Sequence, residues 1–171
     1  MLIHFLGVSG WLFFHFLPQQ YYDNQGLPNP SIIVQASRES LEFTTLKKDL
    51  EKAGFEVIFA LPPQRGAYGL LQVETKKIWI NPVVFDLNIS LPTLIHESVH
   101  AAQVCAGKGK ITTLRLEVEP INYARPFFQQ YSDIHRQDLE REAYAVQTQP
   151  NSFELALSLL QKHCNLKEKN S

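Results

Sequence analysis

The chain lacks an excess of charge of either sign. It has 16 Lys and Arg residues against 17 Asp and Glu residues among 171, a net charge of −1. This balance creates no field that would attract phosphate backbones, so we expect no nucleic-acid partner. Internal repeats and low-complexity segments are also absent, which argues against repeat and disordered classes and favours one compact domain.

Cysteines are few, since Cys105 and Cys164 are the only two. Two cysteines do not make the disulfide framework that holds many small secreted proteins together. Both lie in predicted helices, where a buried thiol behaves as a small apolar residue. We therefore interpret them as structural thiols in a reducing compartment, and a cytoplasmic location is the first expectation.

The longest apolar stretch, residues 2–17, is too short to span a bilayer comfortably and contains His4 and His15. No Lys or Arg precedes it, unlike in a typical signal peptide. Three interpretations stay open: an anchor or atypical signal that associates with a membrane, a segment packed on the core, or residues ahead of the true start codon. We divide the chain into an apolar N-terminal segment with a linker, residues 1–30, and a domain, residues 31–171.

Hydrophobic periodicity and turn residues predict the elements of the domain. Helices are expected at residues 40–53, 91–106, 132–148 and 151–164, and strands at 55–61 and, as a tight pair, within 67–81. In the first helix, Leu41, Leu46 and Leu50 are expected to share the buried face. This order predicts an α+β fold with a short, mainly antiparallel sheet and helices packed on it.

The stretch from His96 to His100 reads His-Glu-Ser-Val-His, an HExxH pattern on a predicted helix. Residues four apart lie on one helix face, so the two imidazoles can bind one zinc ion at roughly 2.0–2.1 Å each. Glu97 projects beside the metal, where it can accept a proton from water as the general base. The ordinary alternative is a pair of histidines that make hydrogen bonds on a helix surface.

A catalytic zinc site needs three protein ligands and one open position. The extended HExxHxxGxxH pattern is absent, because Gln103 follows His100 at the glycine position and no third histidine follows. The candidates for a third ligand lie downstream: Glu117, Glu119, His135, Asp138, Glu140 and Glu142. We expect it on the helix 132–148, since a packed helix holds a carboxylate rigidly. Helical geometry does not decide whether Glu140 or Glu142 is this ligand, because the two carboxylates flank the apolar stripe of the helix on opposite sides.

The segments HESVHAAQ and, about forty residues later, LEREAYAVQ resemble the gluzincin group of zinc metallopeptidases. The resemblance covers residues 94–147 and implies a zincin-like domain in which the third zinc ligand is Glu140, with Glu142 as the alternative. Tyr144 stands where the family commonly has an acidic or polar residue, so the usual support for a histidine is not implied here. The strand KIWIN, residues 77–81, resembles the edge strand that lies beside the cleft in such enzymes.

The resemblance and the motif together predict a metallopeptidase that hydrolyses peptide or protein substrates with zinc as its cofactor. Glu97 would take a proton from the zinc-activated water and pass it to the leaving amine. An oxyanion needs a hydrogen-bond donor, and the available side chains are Tyr144, His135, Tyr123 and Tyr131. The strand KIWIN is expected to hold an extended peptide by strand addition.

Two other functions stay open. A zinc-binding regulatory or interaction module would use the same scaffold without turnover. The intact Glu97 argues against this, because a structural zinc site needs no base and usually has four protein ligands. A non-metal interaction domain with a chance HExxH pattern is the second alternative.

Overall fold

The computed structural model describes residues 2–6 and 30–166, and only the backbone for residues 2–6 and 30–40. The described residues form six α-helices, a single 3-10 turn and a four-stranded sheet, so the predicted α+β class is confirmed. The strands are β1 (Leu2–Leu6), β2 (Glu56–Phe59), β3 (Ala67–Gln72) and β4 (Lys77–Ile80). The helices are α1 (Pro30–Lys52), α2 (Val83–Asp86), α3 (Ser90–Ala106), α4 (Arg125–Gln129), α5 (Ile134–Gln147) and α6 (Ser152–Cys164).

The sheet has the strand order β1-β3-β4-β2. Strands β1 and β4 both pair antiparallel with β3, whereas β2 pairs parallel with β4. The predicted tight pair is the β3–β4 hairpin. The predicted edge position of KIWIN is wrong, because β4 has a partner on each side and offers no free edge for an added strand.

The apolar N-terminal segment contributes strand β1 to this sheet. Residue 3 lies opposite Leu71 and residue 5 lies opposite Gly69. For residues 2–6 this agrees with the interpretation of a segment packed on the domain. Residues 7–29, with the rest of the apolar stretch and most of the predicted linker, lie outside the described residues. Among the helices that the structure describes, none combines the length and apolarity needed to cross a bilayer.

Helix α3 is the centre of the domain. Every residue from Thr93 to Val104 is buried, because α3 packs against the sheet, α1, α5 and α6. A helix buried on all sides is normally apolar, yet this one carries two histidines, a glutamate and a glutamine. Buried polar groups of this kind require partners, so the fold itself calls for a polar network around α3.

Helix α1 differs from the prediction at its start and on its buried face. It begins at Pro30, ten residues before the predicted Ser40, because proline is compatible with a first helical turn. Leu46 and Leu50 are fully buried as predicted, but Leu41 is 67% exposed. The helix ends before Gly54, whose φ of +86° is a left-handed conformation that favours glycine.

The two cysteines form a disulfide, so the prediction of free thiols is wrong. Cys105 lies in the last turn of helix α3 and Cys164 is the last residue of helix α6, and their Cα atoms are 5.0 Å apart. The two cysteines are 59 positions apart in the sequence, which gives no local signal, since the pairing depends on how the two helices pack. Disulfides are typical of oxidising compartments, which removes the reason for expecting a reducing one.

Candidate metal centre

Three buried side chains bring their ligand atoms together between α3 and α5. The Nε2 atoms of His96 and His100, one turn apart on α3, are 3.1 Å from each other. Glu140 Oε2, from α5, lies 3.3 Å from the His96 Nε2 and 3.8 Å from the His100 Nε2. Within the described part of the chain, this is the one group of histidine, cysteine and acidic side chains with a spacing suited to a metal ion.

The donor set and spacing fit zinc. Ligand atoms at 2.0–2.1 Å from a tetrahedral zinc ion are about 3.3 Å apart, close to the separations observed among His96, His100 and Glu140. The second oxygen of Glu140, Oε1, is buried without a hydrogen-bond partner in the described residues. A buried acceptor without a partner marks a place for an ion or water. Two nitrogens and one oxygen also match a catalytic site with an open position.

Each imidazole is supported through its other ring nitrogen by a glutamine. Nδ1 of His100 lies 2.8 Å from Oε1 of Gln103, and Nδ1 of His96 lies 3.0 Å from Oε1 of Gln147. Because an amide oxygen only accepts, each Nδ1 must carry a proton, and in the neutral ring this leaves the lone pair on Nε2. This is the tautomer that zinc binds, and the supporting contact orients the ring.

The protonation states also suit a cation. Burial lowers the pKa of His96, and the positive charge of His100 acts in the same direction while Glu140 opposes it. Burial alone would raise the pKa of Glu140, but hydrogen bonds and charge interactions with His100 and His96 outweigh it and lower the pKa to about 2. A neutral imidazole and an ionised carboxylate are the forms that coordinate metal.

Glu97 lies beside this triad, and within residues 41–166 neither oxygen of its carboxylate makes a well-formed hydrogen bond. The side chain is fully buried. Burial raises the pKa of Glu97 well above its ordinary value, and the negative charge of Glu140 raises it further. The backbone amide of Leu71 opposes this shift only in part. The carboxylate is therefore poised to exchange a proton at a pH above that of an ordinary glutamate.

Gly69 of β3 makes the space that Glu97 occupies. A Cβ atom built on Gly69 would lie 2.6 Å from Oε1 of Glu97, 2.9 Å from its Cγ and 3.0 Å from its Cδ. Real Cβ atoms do not approach other atoms this closely. Strand β3 thus forms one wall of the site, and only glycine allows the Glu97 carboxylate its observed position.

Glu142, the alternative third ligand, serves another purpose. Its two oxygens accept hydrogen bonds from the backbone amides of Leu114, Arg115 and Leu116 and from Nε2 of Gln103. Neither Glu140 nor Glu142 is solvated, because Glu140 is 1% exposed and Glu142 is fully buried. Glu140 faces the imidazoles, and Glu142 faces the loop before α4.

The remaining third-ligand candidates are not in this group. Glu119 forms an exposed ion pair with Arg141, at 3.0 Å, and Asp138 lies 3.9 Å from the same guanidinium. His135 and Glu117 are exposed. These side chains belong to the protein surface.

Among the expected oxyanion donors, Tyr144 adjoins the triad. Its ring lies edge-on to that of His96, with ring centroids 4.8 Å apart. Burial, reinforced by the negative charge of Glu140, raises the pKa of Tyr144, so its hydroxyl keeps its proton. Tyr123 is 87% exposed and His135 is also exposed, whereas the triad is buried.

Tyr131 is a second hydroxyl in this region. Burial raises its pKa, and the charges of Glu140 and Glu97 add to the shift, whereas Arg136 opposes it. The Arg136 guanidinium carbon lies 4.2 Å from the centroid of the Tyr131 ring. Arg136 is a residue that the sequence reasoning missed.

Three supporting residues were also missed, namely Gly69, Gln103 and Gln147. Both glutamines stand inside the segments HESVHAAQ and LEREAYAVQ, so a signal was present. Gln103 is one turn beyond His100 and Gln147 is two turns beyond Glu140, and both positions continue a ligand-bearing face. Gly69 carried no comparable signal, because its role depends on a strand packing against α3.

Comparison with known proteins finds no matching family model, curated protein or solved structure. The resemblance to gluzincins therefore rests on the two sequence segments alone.

Proposed function

We propose that this chain is a zinc-dependent metallopeptidase of the gluzincin type. The observation that carries the proposal is the meeting of His96, His100 and Glu140, with the buried carboxylate of Glu97 beside them and without a well-formed hydrogen bond in the described residues. The motif histidines could have lain on the helix surface. Instead they converge with a carboxylate from a later helix, which supports a metal site over a chance pattern.

Each residue of the site has a distinct role in this proposal. His96, His100 and Glu140 hold the ion, and zinc so held supplies a Lewis acid that polarises a carbonyl and acidifies water. Glu97 accepts the proton of the attacking water on a carboxylate oxygen and then donates it to the leaving amine. The raised pKa of Glu97 suits both steps, because the group must hold the proton briefly and release it.

Tyr144 is the residue proposed to donate a hydrogen bond to the oxyanion, given its position against His96. Replacing it with Phe is expected to lower kcat by about 10²–10³-fold, the usual cost of losing one such donor. The matched control is Tyr123→Phe, because Tyr123 is 87% exposed. Equal rates for Tyr144→Phe and the wild type would remove Tyr144 from the mechanism.

The experiment that tests the function compares wild type with Glu97→Gln. Both proteins are assayed for zinc content and for cleavage of a broad peptide library, with and without a chelator. We expect one zinc per chain in both and cleavage only in the zinc-loaded wild type, because Gln cannot accept the proton. Glu119→Gln is the control, since Glu119 is an exposed carboxylate. Cleavage by Glu97→Gln at the wild-type rate would refute the proposed mechanism.

One observation favours a non-catalytic zinc module as the second candidate. His96, Glu97, His100 and Glu140 are at most 1% exposed, so this conformation offers a substrate no direct access to them. The same library assay separates the two functions. Stoichiometric zinc with no cleavage of any peptide would favour the non-catalytic module.

A further inference from the structure

The carboxylate of Glu142 is anchored by four donors in the interior of the protein. Leu114 donates its backbone N–H to Oε2 at 2.7 Å, and Arg115 and Leu116 donate to Oε1 at 2.6 and 3.2 Å. Arg115 has a φ of +58°. Successive amides around a left-handed residue form a concave anion-binding nest. In this protein the carboxylate of Glu142 occupies the nest and thereby attaches the loop of residues 114–116 to α5.

The fourth donor connects Glu142 to the metal centre. Nε2 of Gln103 donates to Oε2 of Glu142 at 2.9 Å and to the carbonyl oxygen of Leu139 at 3.1 Å. Both amide hydrogens of Gln103 are engaged, so its Oε1 must be the atom that faces Nδ1 of His100. If the amide turned over, its oxygen would face the Leu139 carbonyl and the Glu142 carboxylate, two acceptors that cannot donate to it, and both hydrogen bonds would be lost.

The orientation of this amide decides the tautomer of His100. With Oε1 facing it, Nδ1 carries the proton and Nε2 is free to bind an ion. If the amide were reversed, its NH₂ group would face Nδ1, the ring proton would move to Nε2, and the atom that faces Glu140 could no longer coordinate.

We propose that Glu142 is a positioning residue that acts through Gln103 to hold His100 in its metal-binding tautomer. This inference rests on the proposed metal site, but it concerns a residue outside that site. The order of contacts is loop amides, Glu142, Gln103 and His100. It gives Glu142 an influence on zinc affinity although its carboxylate is committed to other donors.

The test is a double-mutant cycle on zinc affinity in the full chain, measured by chelator competition. The variants are Glu142→Gln, Gln103→Leu and the double variant. Each single variant is expected to weaken zinc binding by about 10–100-fold, the usual effect of losing an outer-shell partner. In the Gln103→Leu background, Glu142→Gln is expected to change affinity little, because the connection is already broken. Equal losses in both backgrounds would overturn the proposal.

A second readout does not require metal. Nitrogen NMR of the imidazoles in the metal-free protein reports which ring nitrogen carries the proton. We expect His100 to lose its Nδ1–H preference in Glu142→Gln, while His96, held by Gln147, keeps it. An unchanged His100 tautomer in a folded variant would also overturn the proposal. If Glu142→Gln does not fold, the His100 tautomer is measured in Gln103→Leu, which leaves the backbone donors of Glu142 intact. An unchanged tautomer in that variant would overturn the proposal, because Glu142 is proposed to act through Gln103.

The two proposals fail in different ways. A wild-type protein without zinc affinity would contradict the proposed function, and the tautomer measurement would still test the role of Glu142. Tight zinc binding in every variant would contradict the positioning role and leave the proposed function in place.

Discussion

Replacing Gly69 with Ala tests whether strand β3 fixes the position of Glu97, the proposed general base. The three atoms nearest to the added methyl group would all belong to Glu97, the closest being Oε1 at 2.6 Å. Gly69 does not have a positive φ, so alanine suits the backbone. The perturbation is therefore directed at one side chain of the site.

The expected size of the effect follows from that distance. Ordinary van der Waals contact begins at 3.4 Å, so Oε1 of Glu97 must retreat by about 0.8 Å. A misplacement of about 1 Å can reduce catalysis by about 10²-fold, and we expect kcat/KM to fall by roughly 10–100-fold. Overpacking at Gly69 is expected to lower the free energy of unfolding by about 1–3 kcal/mol. Zinc content should not change, because the added methyl group's nearest contacts do not include the metal ligands.

The assay is a double-mutant cycle that needs no known substrate. Urea unfolding is measured on the metal-free wild type, Gly69→Ala, Glu97→Ala and the double variant. Because Glu97→Ala removes the atoms that clash, Gly69→Ala should cost little in that background, and a coupling of at least about 1 kcal/mol is expected. An equal loss of stability in both backgrounds would refute the proposed contact between Gly69 and Glu97.

Three further predictions concern stability. Glu97→Gln should raise the unfolding free energy and the Tm of the metal-free protein above pH 4.5, because only the wild type must keep a buried carboxyl neutral while its unfolded chain ionises; a higher Tm for wild type at pH 8 would contradict this. The pKa of Glu140 is lowered to about 2, so its ionised carboxylate should stabilise the metal-free protein above pH 4.5. This contribution, on the order of 3 kcal/mol, should be lost as the pH falls towards 2. A pH series of unfolding curves tests it, and Glu140→Gln should show a weaker dependence on acid. Reduction of the Cys105–Cys164 disulfide, which links residues 59 positions apart, should lower the unfolding free energy by about 4 kcal/mol in a chain-entropy estimate; calorimetry with and without reductant tests it, and an unchanged Tm would contradict it.

The elements that local sequence determines were predicted well. The β3–β4 hairpin and helices α3, α5 and α6 follow from alternation, helical periodicity and turn residues, which act over a few positions. The start of α1 was missed because Pro30 was assigned to a linker, although proline also begins helices. The exposure of Leu41 depends on which neighbours cover that turn, and local periodicity does not contain this information.

The candidate site shows the same division between local and long-range information. Spacing alone puts His96 and His100 on one face of α3. The choice between Glu140 and Glu142 depends on the rotation of α5 against α3, so periodicity left it open. Likewise, the Cys105–Cys164 pairing and the contact of Gly69 with Glu97 join segments far apart in the sequence, and only their packing reveals them.

The central claim is that two imidazoles of α3 and one carboxylate of α5 bind a zinc ion. X-ray absorption at the zinc edge, on purified protein of known zinc content, measures the ligands directly. We expect one zinc per chain with two imidazole nitrogens and at least one oxygen at about 2.0–2.2 Å, and loss of the metal in His96→Ala and in Glu140→Ala. A protein without stoichiometric zinc, or a zinc ion whose coordination is unchanged in both variants, would contradict the account.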